Sequence, residues 1–122
     1  MDLRQQAQEL RTARIPQLVG MSIGARLVGA DLSHLLASEL RELADPKIVA
    51  ERFGCDAQVA ETLTPAISGQ LAALERRVRH LCSELAEAWR ADAYRAEGRA
   101  EALEELDRGS SPGGPVPAPT AE

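Results

Sequence analysis

The chain has 122 residues, a net charge of −5 and only three aromatic side chains, Phe53, Trp89 and Tyr94. That length allows one small domain, and abundant leucine and alanine suit close-packed helices better than a sheet built from β-branched and aromatic residues. The acidic balance offers no bulk attraction to nucleic acid or to an anionic lipid surface, so the expected fold class is all-α.

The first ten residues, MDLRQQAQEL, are polar and helical in pattern rather than a basic stretch leading into an apolar run, so no secretory signal is expected. Residues 2–14 read as a polar first helix with Leu3, Ala7 and Leu10 as its few apolar anchors, and Pro16 predicts a break just before it. Residues 18–30 are the most apolar segment. Arg26 interrupts them, however, and thirteen residues are too few to cross a ~30 Å hydrocarbon layer, so a cytoplasmic protein without a membrane partner is expected. Gly20, Gly24 and Gly29 in this segment mark either a tight packing spot or a break.

Three further helix starts follow in chain order. Asp31 is a suitable N-cap for a helix that sets Leu32, Leu35, Leu36, Leu40 and Leu43 on one core-facing side. Asp45 followed by Pro46 opens a two-turn helix through Phe53 that Gly54 can close in the left-handed conformation. Asp56 caps a short helix to about Leu63, and Thr64 with Pro65 then opens the long one. The expected organisation is a polar helix at 1–15, a short-helix bundle at 16–64, a long coiled-coil-like helix at 65–108 and a disordered tail at 109–122, where GSSPGGPVPAPTAE holds four prolines and three glycines.

Within the long helix Ile67, Leu71, Leu74, Val78, Leu81 and Leu85 alternate steps of four and three, the spacing of a coiled-coil seam. Beyond Leu85 the better stripe is Trp89, Ala93, Ala96, Ala100 and Leu103, a shift of about one residue. The distal half is alanine-rich and is expected to project from the short helices, steadied by local pairs such as Glu104 with Arg108. Ile67, Leu71, Leu74, Val78, Leu81, Leu85 and Trp89 are the expected oligomer interface. An antiparallel homodimer is favoured because Arg77 then flanks Glu84 of a second copy, whereas a parallel pair sets it against Cys82.

Chemical sites are weakly signalled. Residues 46–63 resemble a generic helix-turn-helix DNA reader, but the would-be recognition helix presents Asp56, Gln58, Glu61 and Thr62 without a lysine or arginine, and carboxylates repel the phosphate backbone. His80 and Cys82 face opposite sides of one helix, and His34 and Cys55 are distant in sequence, so no closed metal site is expected. Neither cysteine belongs to a CxxC pair, and both are expected to be free thiols. No phosphate-binding loop, nucleophile with a base, or paired catalytic carboxylate appears, so no enzyme, cofactor or small-molecule substrate is expected. The sequence therefore favours a non-enzymatic helical module that self-associates and binds an unidentified protein as an adaptor, assembly or structural component, with a dimeric DNA-binding regulator as the alternative.

Overall fold

The computed structural model describes residues 2–110, and all of its regular structure is helical. Helix α1 spans Leu3–Glu9, a π turn spans Leu10–Arg14, and α2 spans Ile15–Glu42. Helix α3 spans Pro46–Phe53 and α4 spans Ala57–Ser110. The Pro/Gly-rich tail expected from residue 109 lies, from residue 111 on, outside the described residues; Gly109 and Ser110 close α4.

Local chemistry fixes most of the ends. Asp2 accepts from the Gln5 amide at 2.7 Å and the Gln5 side chain reaches back to the Asp2 amide, a reciprocal cap for α1. Asp45 accepts from the Lys47 amide at 3.0 Å, Pro46 occupies the first turn of α3, and Gly54 closes that helix at φ 64°, as the sequence predicts. The Asp56 carboxylate accepts from the Val59 amide at 2.9 Å and starts α4.

The other expected helix starts do not exist. Pro16 lies inside α2: the missing N–H and the ring's clash with the Thr12 carbonyl are absorbed by the π turn, in which the Ile15 amide donates to the Leu10 carbonyl five residues back. Asp31 sits exposed in mid-helix rather than at a cap. Thr64 and Pro65 lie inside α4, with the Thr64 hydroxyl bonded to the Ala60 carbonyl at 2.7 Å. An interior proline costs about 3 kcal/mol. Packing on both sides of Pro65, by Ala60 and Leu63 before it and Ile67 and Leu71 after it, holds the helix through the defect.

The chain divides into two compact units, Met1–Ser22 with Glu87–Glu122, and Ile23–Ala86. In the first, α1, the π turn and the start of α2 pack with the distal part of α4. Ala7, Leu18, Ser22, Ala93 and Ala100 are buried there. Arg11 donates two N–H groups to the Glu104 carboxylate, both at 2.8 Å. The distal half of α4 therefore does not project, and Glu104 is held by a residue 93 positions away rather than by Arg108.

In the second unit α2 and α4 form an antiparallel hairpin. Gly29 lies against Cys82 and the Ser33 hydroxyl donates to the Glu75 carboxylate, so a rising position on α2 meets a falling one on α4. A Cβ on Gly29 would come within 2.7 Å of the Cys82 Cβ, so the glycine permits a close approach of the two helices. Gly20 and Gly24 meet nothing within 4 Å and neither breaks the helix. At the loop end, Leu43, Val49 and Ala60 make the core, and Ile48, Cys55, Leu63, Ile67 and Leu71 pack around it.

Candidate functional site

The residues that the helices turn toward each other only partly match those the sequence pattern selects: Leu36, Leu40 and Val78 belong to both sets. Around Gly29, α2 directs Ser33, Leu36 and Leu40 inward, and around Cys82, α4 directs Glu75, Val78 and Ala86 inward; all are buried or half-buried. Small and polar side chains, Gly29, Ser33, Glu75, Cys82 and Ala86, thus share the contact with Leu36, Leu40 and Val78. Leu32 and Leu35, expected in the core, are instead 38% and 58% exposed. The displaced leucines form the site.

The expected interface residues fall into three groups. Ile67 and Leu71 pack against the unit's own core. Leu74, Leu81 and Leu85 are 46%, 57% and 40% exposed. Val78 and, in the other unit, Trp89 are half-buried. Both expected flank residues are exposed, and whereas a Glu84 carboxylate oxygen lies 3.2 Å from His80 Nε2, Arg77 forms no ion pair among the described residues. Its neighbour Arg79 is already bound to Glu75.

Helical geometry shows where these leucines point. At roughly 100° per residue, Leu74, Leu81 and Leu85 lie about 60–100° to one side of Cys82 on α4. By the same count Val28, Leu32 and Leu35 lie about 60–120° to the same-signed side of Gly29 on α2. When two helices run antiparallel, equal turns of the same sign bring side chains out on one common side of the pair. The opposite sign carries polar groups: Arg26, Ser33 and His34 of α2 line one open groove with Arg79 and Ser83 of α4. The hairpin therefore has a polar side and an apolar side. Sequence reasoning missed Val28, Leu32 and Leu35 as members of the apolar side; the available signal was the row Gly29, Ser33 and Leu36, whose small members mark the inward direction of α2.

At the loop end, the helix after the turn exposes Asp56, Gln58, Val59, Glu61 and Thr62. Of the cations at positions 45–64, Lys47 and Arg52, the latter is engaged by Glu39 and Glu42, each at 2.8 Å. No group of three or more His, Cys, Asp or Glu side chains among the described residues is placed to hold a metal ion, both cysteines are free, and no described helix is long and apolar enough to cross a membrane. No family model matches the chain, nor does a curated protein or a solved structure.

Two carboxylates tie the helices together, one in each unit. The Ser33 hydroxyl, followed by the Arg79 guanidinium, holds Glu75 below the usual carboxylate range, and hydrogen bonds from Arg11 do the same for Glu104. At acidic pH the unfolded chain binds protons at these positions more readily than the folded one, so stability rises with pH there. The contribution is complete above the ordinary glutamate pKa of about 4.3 and disappears as pH falls through the lowered folded values. Thermal melts between pH 7 and pH 2.5 should show a decline that begins below about pH 4.5, and the Glu75→Gln/Glu104→Gln variant should show a shallower one. Parallel acid limbs in parent and variant would refute the assignment.

Proposed function

We propose that the chain is a non-enzymatic helical module that forms an antiparallel homodimer through the leucines of α4 and serves as an adaptor, assembly or structural component for another protein. The observation that carries this reading is the exposure of Leu74, Leu81 and Leu85 along one side of about three turns of one helix, because an apolar patch of this kind is characteristic of an interaction surface. Orientation follows from charge. Arg77 and Glu84 stand seven residues apart on the outer border of the same stripe, and an antiparallel second copy brings each against the other's opposite. The carboxylates exposed after Gly54 support a protein rather than a nucleic acid at the loop end.

Gel filtration coupled to light scattering at micromolar concentration should return about twice the 13.1 kDa chain mass. Leu81→Asp should return 13.1 kDa with its helix content retained, since that side chain is already exposed in the single chain and only the dimer buries it. A parent that elutes as a monomer at every concentration would remove the reading. Micromolar binding of random duplex DNA by the parent, steepening as salt falls, would replace it with the regulator.

A further inference from the structure

We infer, resting on the dimer reading above, that a second copy docks across both helices of the 23–86 hairpin rather than on α4 alone, so that α2 supplies half of the interface. Leu32 and Leu35 of α2 and Leu81 and Leu85 of α4 share one side of the hairpin, and Val28 and Leu74 extend it at the two ends. The same side is already closed at the loop end. There α3 lies over it, with Val49 in the core, Leu63, Ile67 and Leu71 packed around, and Arg52 bonded to Glu39 and Glu42 of α2. Helix α3 has only eight residues, so it covers about 12 Å of a much longer hairpin. From Leu35 and Leu74 onward the apolar side is bare.

Two features identify the occupant as a second copy of this chain. The first is charge: Arg77 has no ion pair among the described residues and Glu84 lies exposed two turns away on the same border. A two-fold axis passing between them satisfies both residues on both chains, whereas an unrelated partner has to provide a carboxylate and a cation at that spacing. The second is area. The six side chains leave roughly 500 Å² of apolar surface in water on each chain, a patch at the upper end for a lone monomer and most of the ~800 Å² per partner that a specific interface buries. Pairing two such faces gives a four-helix layer, with the groove of Arg26, His34 and Arg79 left outside it.

The test is sedimentation equilibrium on the full chain, comparing Leu35→Asp with Leu27→Asp. Leu27 is 62% exposed on the same helix but points away from the proposed face, so its substitution controls for a charge placed anywhere on α2. The expected result is a dimer dissociation constant raised at least tenfold by Leu35→Asp and left within about twofold by Leu27→Asp, with unchanged far-UV dichroism for both. Should Leu35→Asp lose helix, Leu35→Ala serves instead, with an increase of at least threefold. A parent dimer that Leu81→Asp splits but the Leu35 variants leave intact overturns the two-helix face while the dimer through α4 stands. Equal loss of affinity with Leu27→Asp overturns it as well. A monomeric parent removes both readings and assigns the face to a different protein.

Discussion

Val49→Asp is expected to abolish the cooperative folding of residues 23–86, with a large loss of helical ellipticity at 37 °C and no sharp melting transition for that unit. Val49 is fully buried, and its side chain clusters with Leu43, just past the end of α2, and Ala60 in the first turn of α4. It is the point where α3 clasps the hairpin. A carboxylate there has no partner and no route to water, and an unpaired buried charge costs several kcal/mol. Small domains have only about 5–15 kcal/mol of total stability. A graded control separates charge from cavity: Val49→Ala removes two methyl groups from a packed site and should cost roughly 1–3 kcal/mol, lowering Tm without abolishing the transition. Were Val49→Asp to melt within a few degrees of the parent, the clasp would not be the core of that unit. The same loss should accompany loss of dimerisation, since the bare leucine face depends on the hairpin's register.

The helical class, the two-turn helix between Asp45 and Gly54 and the presence of one long last helix, though not where it starts, were legible because each rests on local chemistry: a cap, a proline in a first turn, a left-handed glycine, a long run of good helix formers. What local chemistry misjudged was punctuation. Pro16 and Pro65 read as helix boundaries because an isolated helix would end there, yet a π turn absorbs the first and packing on both sides of the second outweighs its cost. Asp31 and Thr64 read as caps for the same reason.

The contact between α2 and α4 was hard to read for a different reason. A pattern search follows the large apolar residues, which on α4 include the exposed Leu74, Leu81 and Leu85. The helix also turns Glu75, Cys82 and Ala86 toward α2, and in the other unit Ala93 and Ala100 are the buried positions. Glu75 belongs to the inward line because Ser33 and Arg79 satisfy its carboxylate, a tertiary arrangement that periodicity does not encode.

Gly29→Ala should lower stability, against the direction that helix propensity gives. In an unobstructed helix the substitution gains up to about 1 kcal/mol, because glycine is the costlier residue to order. At Gly29 the new methyl group comes within 2.7 Å of the Cys82 Cβ, an atom fixed to the backbone rather than the free end of a long side chain. Relief therefore requires α2 and α4 to move apart, and overpacking of this kind costs typically ~1–3 kcal/mol. The net expectation is a loss of roughly 1–2 kcal/mol, or a Tm lower by about 5–10 °C for a unit of this size. Gly69→Ala supplies the contrast: nothing lies within 4 Å of its Cβ position, the site is exposed, and Tm should rise by a few degrees. The pairing itself can be read from a double-mutant cycle. Cys82→Gly removes the obstructing atom at a cost of roughly 0.3 kcal/mol in helix propensity, so Gly29→Ala added to it should be nearly neutral or stabilising. All melts belong at one protein concentration, because the proposed dimer would make Tm concentration-dependent. If Gly29→Ala and Gly69→Ala raise Tm alike, the helices are farther apart at this point than the structure has them, and the displacement of the leucines onto an outer face loses its cause.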